Sequence, residues 1–325
     1  MKVVIPAAGI GTRLRPHTHT LPKSLLNVAG KPILGHILDR VAELEVSEVI
    51  FVVGFFGNMI KKYVNENYNL NATFVEQEEL KGLGYAIHLC GEYFNDESVL
   101  IILGDTIYRA DLNAVIKDSE NSIGTHKVDD PRRFGVAVVK DGYITELVEK
   151  PDEPVSNEAL VGIYYIKDIQ SLTRSLAEIV DKGIKTRGEY QLTDALQIML
   201  KNGARIKTFD VPGWFDCGKP ETLLSTNKHL LSKLENSRPD IPGTVIIPPV
   251  FVGRGVKVEN SIIGPNVTIA GDTVIQNSII RDSIIGKGSV VKDCMMEDSL
   301  IGEYAQVRMQ FRSFNVGDSS EIGYR

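Results

Sequence analysis

From Val252 onward the chain repeats itself at a very short interval. Val252, Val258, Ile263, Ile269, Ile275, Ile280, Ile285, Val291, Met296, Ile301 and Val307 follow one another five or six residues apart. Asn260-Ser261-Ile262-Ile263, Asp282-Ser283-Ile284-Ile285 and Asp298-Ser299-Leu300-Ile301 are near copies. Few folds tolerate such a period. It is too short for a helical solenoid, and the strands of a β-sandwich would be spaced about 8–12 residues apart. A parallel β-helix fits, because each short coil buries its apolar column only by stacking on the next. Ser237, Pro239, Pro242 and Gly243 interrupt the chain just before the repeat. The expected domains are therefore 1–236 and 237–325, the second being the β-helix with a short tail.

The first domain reads differently. Val3-Val4-Ile5 and the apolar runs at 49–53, 72–75 and 99–103 alternate with amphipathic stretches, as in Ile37, Leu38, Val41 and Leu44. Alternating strands and helices predict an α/β fold with a Rossmann-like sheet, parallel in this half. From about residue 134 strands joined by a tight turn follow, with Lys140-Asp141-Gly142 as the turn, then helices near 169–180, 191–200 and 220–234. The sheet is thus expected to be mixed.

Between the first strand and the first helix stands Ala7-Ala8-Gly9-Ile10-Gly11-Thr12-Arg13-Leu14-Arg15-Pro16, with Pro22-Lys23 a little further on. Glycines let the backbone turn sharply and approach a ligand. Successive N–H groups in such a loop form a concavity suited to phosphate oxygens, and Arg13, Arg15 and Lys23 add positive charge. A third glycine of G-x-G-x-x-G is missing, Leu14 standing in its place, and no Gly-Lys-Ser/Thr follows; neither a dinucleotide fingerprint nor a P-loop is present. The net charge of −6 argues against a nucleic-acid or membrane partner, so a polyanionic ligand has to be met by a local cluster of cations.

The long pattern A-A-G-x-G-T-R-L-x-P followed by P-K resembles the sugar-1-phosphate nucleotidyltransferases (nucleoside diphosphate sugar pyrophosphorylases), and within them the glucose-1-phosphate thymidylyl- and uridylyltransferases. The repeat is similar to the left-handed β-helix appended to many of these enzymes. The resemblance implies attack of a sugar 1-phosphate oxygen on the α-phosphorus of UTP or dTTP, with pyrophosphate leaving and Mg²⁺ as cofactor. It places Ala8, Gly9 and Gly11 around the nucleotide, and Arg13 and Lys23 on the triphosphate. It makes Asp105, in Leu103-Gly104-Asp105, and Asp216, in Trp214-Phe215-Asp216, the metal-holding pair. Gln77, five positions before Gly82, matches the pocket that reads a uracil or thymine edge, for which an amide offers both donor and acceptor. Gly135, Glu149, Gly162 and Tyr164 match the sugar side, and Lys150 the sugar's phosphate. Glu189 and Asp194 either line the sugar site or cap the next helix. Ser24 stands where the thymidylyltransferases usually have glutamine, so both pyrimidines stay open.

Two alternatives accompany this expectation. A non-catalytic nucleotide-sugar-binding subunit would be expected to lack Arg13, Lys23 or one aspartate, and all are present. A purine-using transferase of the GDP-mannose type is the other, and Gln77 counts against it. Acetyl transfer by the β-helix is not expected, since the last histidine, His229, precedes the repeat. The open end of the β-helix, with Met295, Met296, Met309 and Phe311, predicts a homo-oligomer. Met1-Lys2 runs straight into a strand, and Cys90, Cys217 and Cys294 fit neither a C-x-x-C site nor a disulfide framework, so a cytoplasmic protein is expected.

Overall fold

The computed structural model describes residues 1–234 and 241–309, with Gly317 and Ser319. The expected boundary stretch 237–243 lies partly, and Phe311 wholly, outside the described residues. Nine strands make the main sheet: β1 (Lys2–Pro6), β2 (Glu48–Val53), β3 (Ala72–Glu76), β4 (Val99–Ile102), β5 (Asn121–Lys127), β6 (Gly135–Lys140), β7 (Tyr143–Glu149), β8 (Glu158–Ile166) and β9 (Ile206–Asp210). Their spatial order is β3-β2-β1-β4-β8-β5-β9-β7-β6.

Strands β1 to β4 are parallel neighbours. Val3, Val4 and Ile5 of β1, the residues from Val49 to Val53, and all of β4 are buried, as expected where helices cover both faces of a parallel sheet. Strand β8 then enters antiparallel to both β4 and β5, β9 returns parallel to β5, and β7 and β6 close the edge antiparallel. The sheet is therefore mixed, with its parallel half at the N-terminal end of the chain.

The helix Ile169–Asp181 shows how the covering layer is specified. Ile169, Leu172, Leu176 and Ile179 recur on one face and are buried, and the Asp168 carboxylate accepts from Ser171 N at 3.0 Å to cap the first turn. The helices Leu83–His88, Ile169–Asp181 and Leu192–Lys201 pack on one another, the first reaching β1 and the last reaching β7.

By its contacts the chain divides into two compact units: Met1–Asn27 with Lys31–Thr226, and Val28–Gly30 with Asn227–Arg325. Among the described residues of the second unit, twelve short strands form three four-stranded parallel sheets. Ile275 faces Val258 on one side and Val291 on the other, and Ile280 faces Ile263 and Met296, so each coil takes 16 or 17 residues. This stacking of parallel strands is consistent with a β-helix. Asn260, Asn277 and Asp293, like Asn266, Asp282 and Asp298, turn its corners with positive φ, which short polar side chains tolerate best. Successive corners are tied together, Asn277 Nδ2 donating to Asp293 Oδ1 at 3.0 Å and Asn266 Nδ2 to Asp282 Oδ1 at 2.8 Å. Serines do the same beneath them: Ser261 Oγ accepts from Ser278 N and Ser278 Oγ from Cys294 N.

The early segment Val28–Gly30 joins this second unit through Asn227, which is wholly buried. Asn227 Oδ1 accepts from Ala29 N at 2.9 Å and Thr268 Oγ1 at 2.6 Å, and Nδ2 donates to Asn266 O at 3.2 Å. Gly30 fits because a Cβ there would lie 2.4 Å from the Phe251 ring. Replacing Asn227 by leucine leaves these three groups buried without partners and is expected to lower stability by about 2–5 kcal/mol, read by chemical denaturation. Ile275→Ala, in the same unit's core, is expected to cost about 2–5 kcal/mol by the same measurement.

Candidate active site

The carboxyl ends of β1, β2, β3 and β4 lie side by side, and the loops leaving β1, β3 and β4 border a cavity of about 480 Å³. Its walls include Ala8, Gly9, Gly11, Lys23, Gln77 and Gly82 together with Asp105. Lys23 and Asp105, 82 positions apart in sequence, thus meet in one place, because adjacent parallel strands end at a common level.

The glycine loop is shaped for this position. Gly11 adopts φ 67°, and a Cβ there would sit 3.0 Å from Thr18 Cγ2 and 3.1 Å from Lys23 Cβ. Its carbonyl accepts from Thr18 Oγ1 at 2.8 Å and Leu14 N at 2.9 Å, and buried Leu14 anchors the turn below. The space in front of Gly9 is open, and among the described residues the N–H groups of Gly9 and Ile10 have no partner. Unpaired donors facing a cavity are what an anion would satisfy.

Lys23 follows in a short turn and is buried, its Nζ donating to Asp105 Oδ2 at 2.6 Å. Burial opposes ionisation of Asp105. The charge and hydrogen bond of Lys23, the Thr106 hydroxyl and the charge of Arg13 outweigh it and hold the carboxyl below its usual range. Asp216 arrives by a route that no motif announces. Strands Thr106–Arg109 and Gly213–Asp216 form a separate antiparallel ribbon that pairs Asp216 with Thr106, and Cys217 N donates to Asp105 O at 3.2 Å. The two aspartates are brought to the same end of the ribbon. Gly218 N donates to Asp216 Oδ1 at 2.9 Å, and a Cβ on Gly218 would lie 2.9 Å from Arg13 Nη2. Arg13 therefore stands beside Asp216, next to the cavity wall rather than in it. Asp105 borders the cavity and Asp216 stands at the same end of the ribbon; a carboxylate pair of this kind suits a divalent cation that also takes phosphate oxygens and water. Among the described residues no group of three or more His, Cys, Asp or Glu side chains is placed to hold a metal without such additional ligands.

On the opposite wall, Gln77 is 5% exposed and its Nε2 lies 3.4 Å from Gly82 O. Gly82 has φ 108°, and a Cβ there would meet Tyr190 O at 2.6 Å. Tyr190, not singled out by the sequence, holds this loop by two backbone bonds, Tyr190 N to Lys81 O and Gly84 N to Tyr190 O, each 2.8 Å. Its neighbour Glu189 borders the cavity.

The expected sugar-side residues gather in a second group. Strand register sets Gly135 opposite Glu149, and a Cβ on Gly135 would come within 2.9 Å of Glu149 Oε2. Thr193 Oγ1 donates to Glu149 Oε2 at 2.8 Å, and Lys150 Nζ lies 3.2 Å from Glu149 Oε1. Thr193 stands in the first turn of the helix Leu192–Lys201, and only contact with Glu149 reveals its part. Gly162 sits where β8 slips register, at φ 85°, packed on Leu103, a residue of the cavity wall. Tyr164 is 4% exposed and belongs to the core cluster beneath. Asp194 stands in the first turn of the helix Leu192–Lys201, its Oδ2 buried and unpartnered among the described residues; burial and the nearby Glu149 charge raise its pKa against the opposing Thr186 hydrogen bond.

Comparison with known proteins identifies the family. The family model described as nucleotidyl transferase matches residues 2–233. A glucose-1-phosphate thymidylyltransferase of Streptomyces antibioticus is 31% identical over 99% of both chains. The bifunctional protein GlmU of Methanocaldococcus jannaschii is 33% identical over 93% of this chain and 78% of its own length. Among solved structures, UDP-glucose pyrophosphorylase complexed with UDP-glucose superposes with a TM-score of 0.64 at 25% identity, covering 72% of this chain and 99% of the other. The chain belongs to the nucleotidyl transferase family.

Proposed function

We propose that this chain joins a pyrimidine nucleoside triphosphate, UTP or dTTP, to a hexose 1-phosphate, glucose 1-phosphate in the first instance, releasing pyrophosphate. The observation that carries the reading is the convergence of the open glycine loop, Lys23, Asp105, Gln77 and Gly82 on one cavity. An oxygen of the sugar 1-phosphate attacks the α-phosphorus; the bond to the bridging oxygen breaks and pyrophosphate leaves with the electron pair. The attacking oxygen is already anionic, so no general base is required. Rate comes from holding two anions in line and neutralising their charge.

In this reading Gly9, Ile10 and Gly11 offer backbone donors to the triphosphate, and Arg13 and Lys23 supply the cations. Gln77 and the Gly82 backbone receive the base edge. Glu149, oriented by Thr193, accepts from sugar hydroxyls, while Lys150 meets the sugar's phosphate. Gly135 and Gly162 keep the approach clear, and Tyr164 supports the floor. Asp105 and Asp216 would hold Mg²⁺, which when bound screens the phosphate charges and orients them.

The catalytic domain is proposed as 1–236, and 237–325 as a left-handed β-helix through which copies associate; Met295 is 73% exposed on its last coils. A reducing cytoplasm suits the chain, since Cys90, Cys217 and Cys294 are free and buried, and burial pushes the Cys90 and Cys217 thiols up to about 12. Among the described residues no helix is long and apolar enough to cross a membrane.

Pyrophosphate release measured with Mg²⁺ across UTP, dTTP, GTP and ATP and several sugar 1-phosphates is expected to be confined to UTP or dTTP. Turnover with GTP or ATP alone would move the assignment to a purine enzyme, and none on any pair, with tight nucleotide-sugar binding, to a binding subunit. Lys23→Ala and Arg13→Ala are each expected to lower kcat by about 100- to 1,000-fold, the scale of one lost transition-state donor. Gln77→Leu is expected to lower kcat/KM for the pyrimidine substrate by about tenfold or more, leaving buried partners of the base unmatched.

A further inference from the structure

Lys23 and Asp105 have been given separate partners, a phosphate and a cation, yet here they hold each other at 2.6 Å. The Lys23 side chain is 10% exposed and that of Asp105 is 40% exposed, so the ammonium fills the inner side of the carboxylate. Arg13 Nη2 also lies near Gly218, whose N–H donates to Asp216 Oδ1. Two carboxylates and two cationic side chains are thus gathered together, with Lys23 paired to Asp105. A divalent cation approaching Asp105 has to displace or tolerate an attached unit charge. Arg13 and Lys23 are also the groups a triphosphate would attract, which would leave both aspartates facing phosphate oxygens.

We propose that Lys23 is the internal counter-ion of Asp105 in the free protein, and that triphosphate binding exchanges this ammonium for the divalent cation, so that the cation enters only with the nucleotide. The proposal rests on the reading of Asp105 and Asp216 as cation ligands, and it adds an order of entry and a second role for Lys23. It also explains why a buried lysine sits so close to a carboxylate that serves as a ligand. Without Lys23, Asp105 would stand partly buried beside Asp216 with no adjacent positive charge except Arg13.

Mn²⁺ serves as the probe, its binding to the full chain without nucleotide followed by the loss of the free-ion paramagnetic resonance signal. Lys23→Gln is expected to bind Mn²⁺ on the order of tenfold more tightly than the unaltered protein, because one adjacent positive charge is gone. Lys23→Arg, which keeps the charge, is expected to bind as weakly as the unaltered protein. Lys23→Met, which keeps the apolar stem, is measured in parallel so that a misfolded Lys23→Gln does not decide the matter. Equal Mn²⁺ affinity in the unaltered protein and in both neutral variants overturns the counter-ion role. Adding Asp105→Asn to the tighter-binding variant is expected to abolish the gain. A gain that survives Asp105→Asn places the cation elsewhere and overturns the ligand assignment as well. Retained Mg²⁺-dependent turnover in the unaltered protein, with no Mn²⁺ gain in the neutral variants, removes this inference alone and leaves the proposed reaction standing.

Discussion

An ion pair between residues 82 positions apart sets the terms for the whole site. A chain with net charge −6 has to present concentrated positive charge to a polyanion without letting that charge destabilise the free protein. Lys23 can remain buried because Asp105 answers it, and Asp105 can stand at the end of a buried strand because Lys23 answers in turn. That reciprocity depends on β1 and β4 being adjacent and parallel, so the loop after one strand and the turn after the other open at the same level. Gly104 makes the approach possible, since a Cβ there would come within 2.8 Å of Pro6 O.

Much of this is legible in the order of amino acids alone. Strong apolar runs such as 49–53 and 99–102 became strands, and the helix expected near 169–180 forms over Ile169–Asp181. The missing pieces share a cause. Strand β5, Asn121-Ser122-Ile123-Gly124-Thr125-His126-Lys127, is central to the sheet yet carries a single large aliphatic residue. Its fitness comes from neighbours: Gly124 lies where a Cβ would press on Val161 and Val211, and His126 Nδ1 pairs with Val211 O at 3.0 Å. The ribbon that carries Asp216 is equally silent, because Thr106–Arg109 and Gly213–Asp216 are short, far apart in sequence and paired only with each other. Local pattern specifies a strand poorly when its stabilisation is supplied from elsewhere.

The site was read by motif more completely than by residue. Gln77 and Gly82 meet as their spacing implies, but the brace that keeps Gly82 in place is the backbone of Tyr190, whose side chain gives no hint of it. Thr193 is similar: a hydroxyl in a helix's first turn is ordinary until it is found on Glu149. Arg13 and Asp216, matched to different partners by resemblance, turn out to be neighbours around Gly218. The resemblance names the groups expected to touch ligand, whereas the groups that hold them are chosen by three-dimensional packing.

The tie between Ala29 and Asn227 carries a consequence for how the molecule is made. The amide of Ala29 finds its acceptor 198 residues later in the chain, and the Phe251 ring that covers Gly30 comes later still. At about 5–20 residues per second on the ribosome, that amide is exposed to water for roughly 10–40 s before its acceptor has even been synthesised. The segment between the glycine loop and the first helix thus emerges long before its partners do. Vectorial synthesis alone cannot finish this segment, and its closure awaits the repeat.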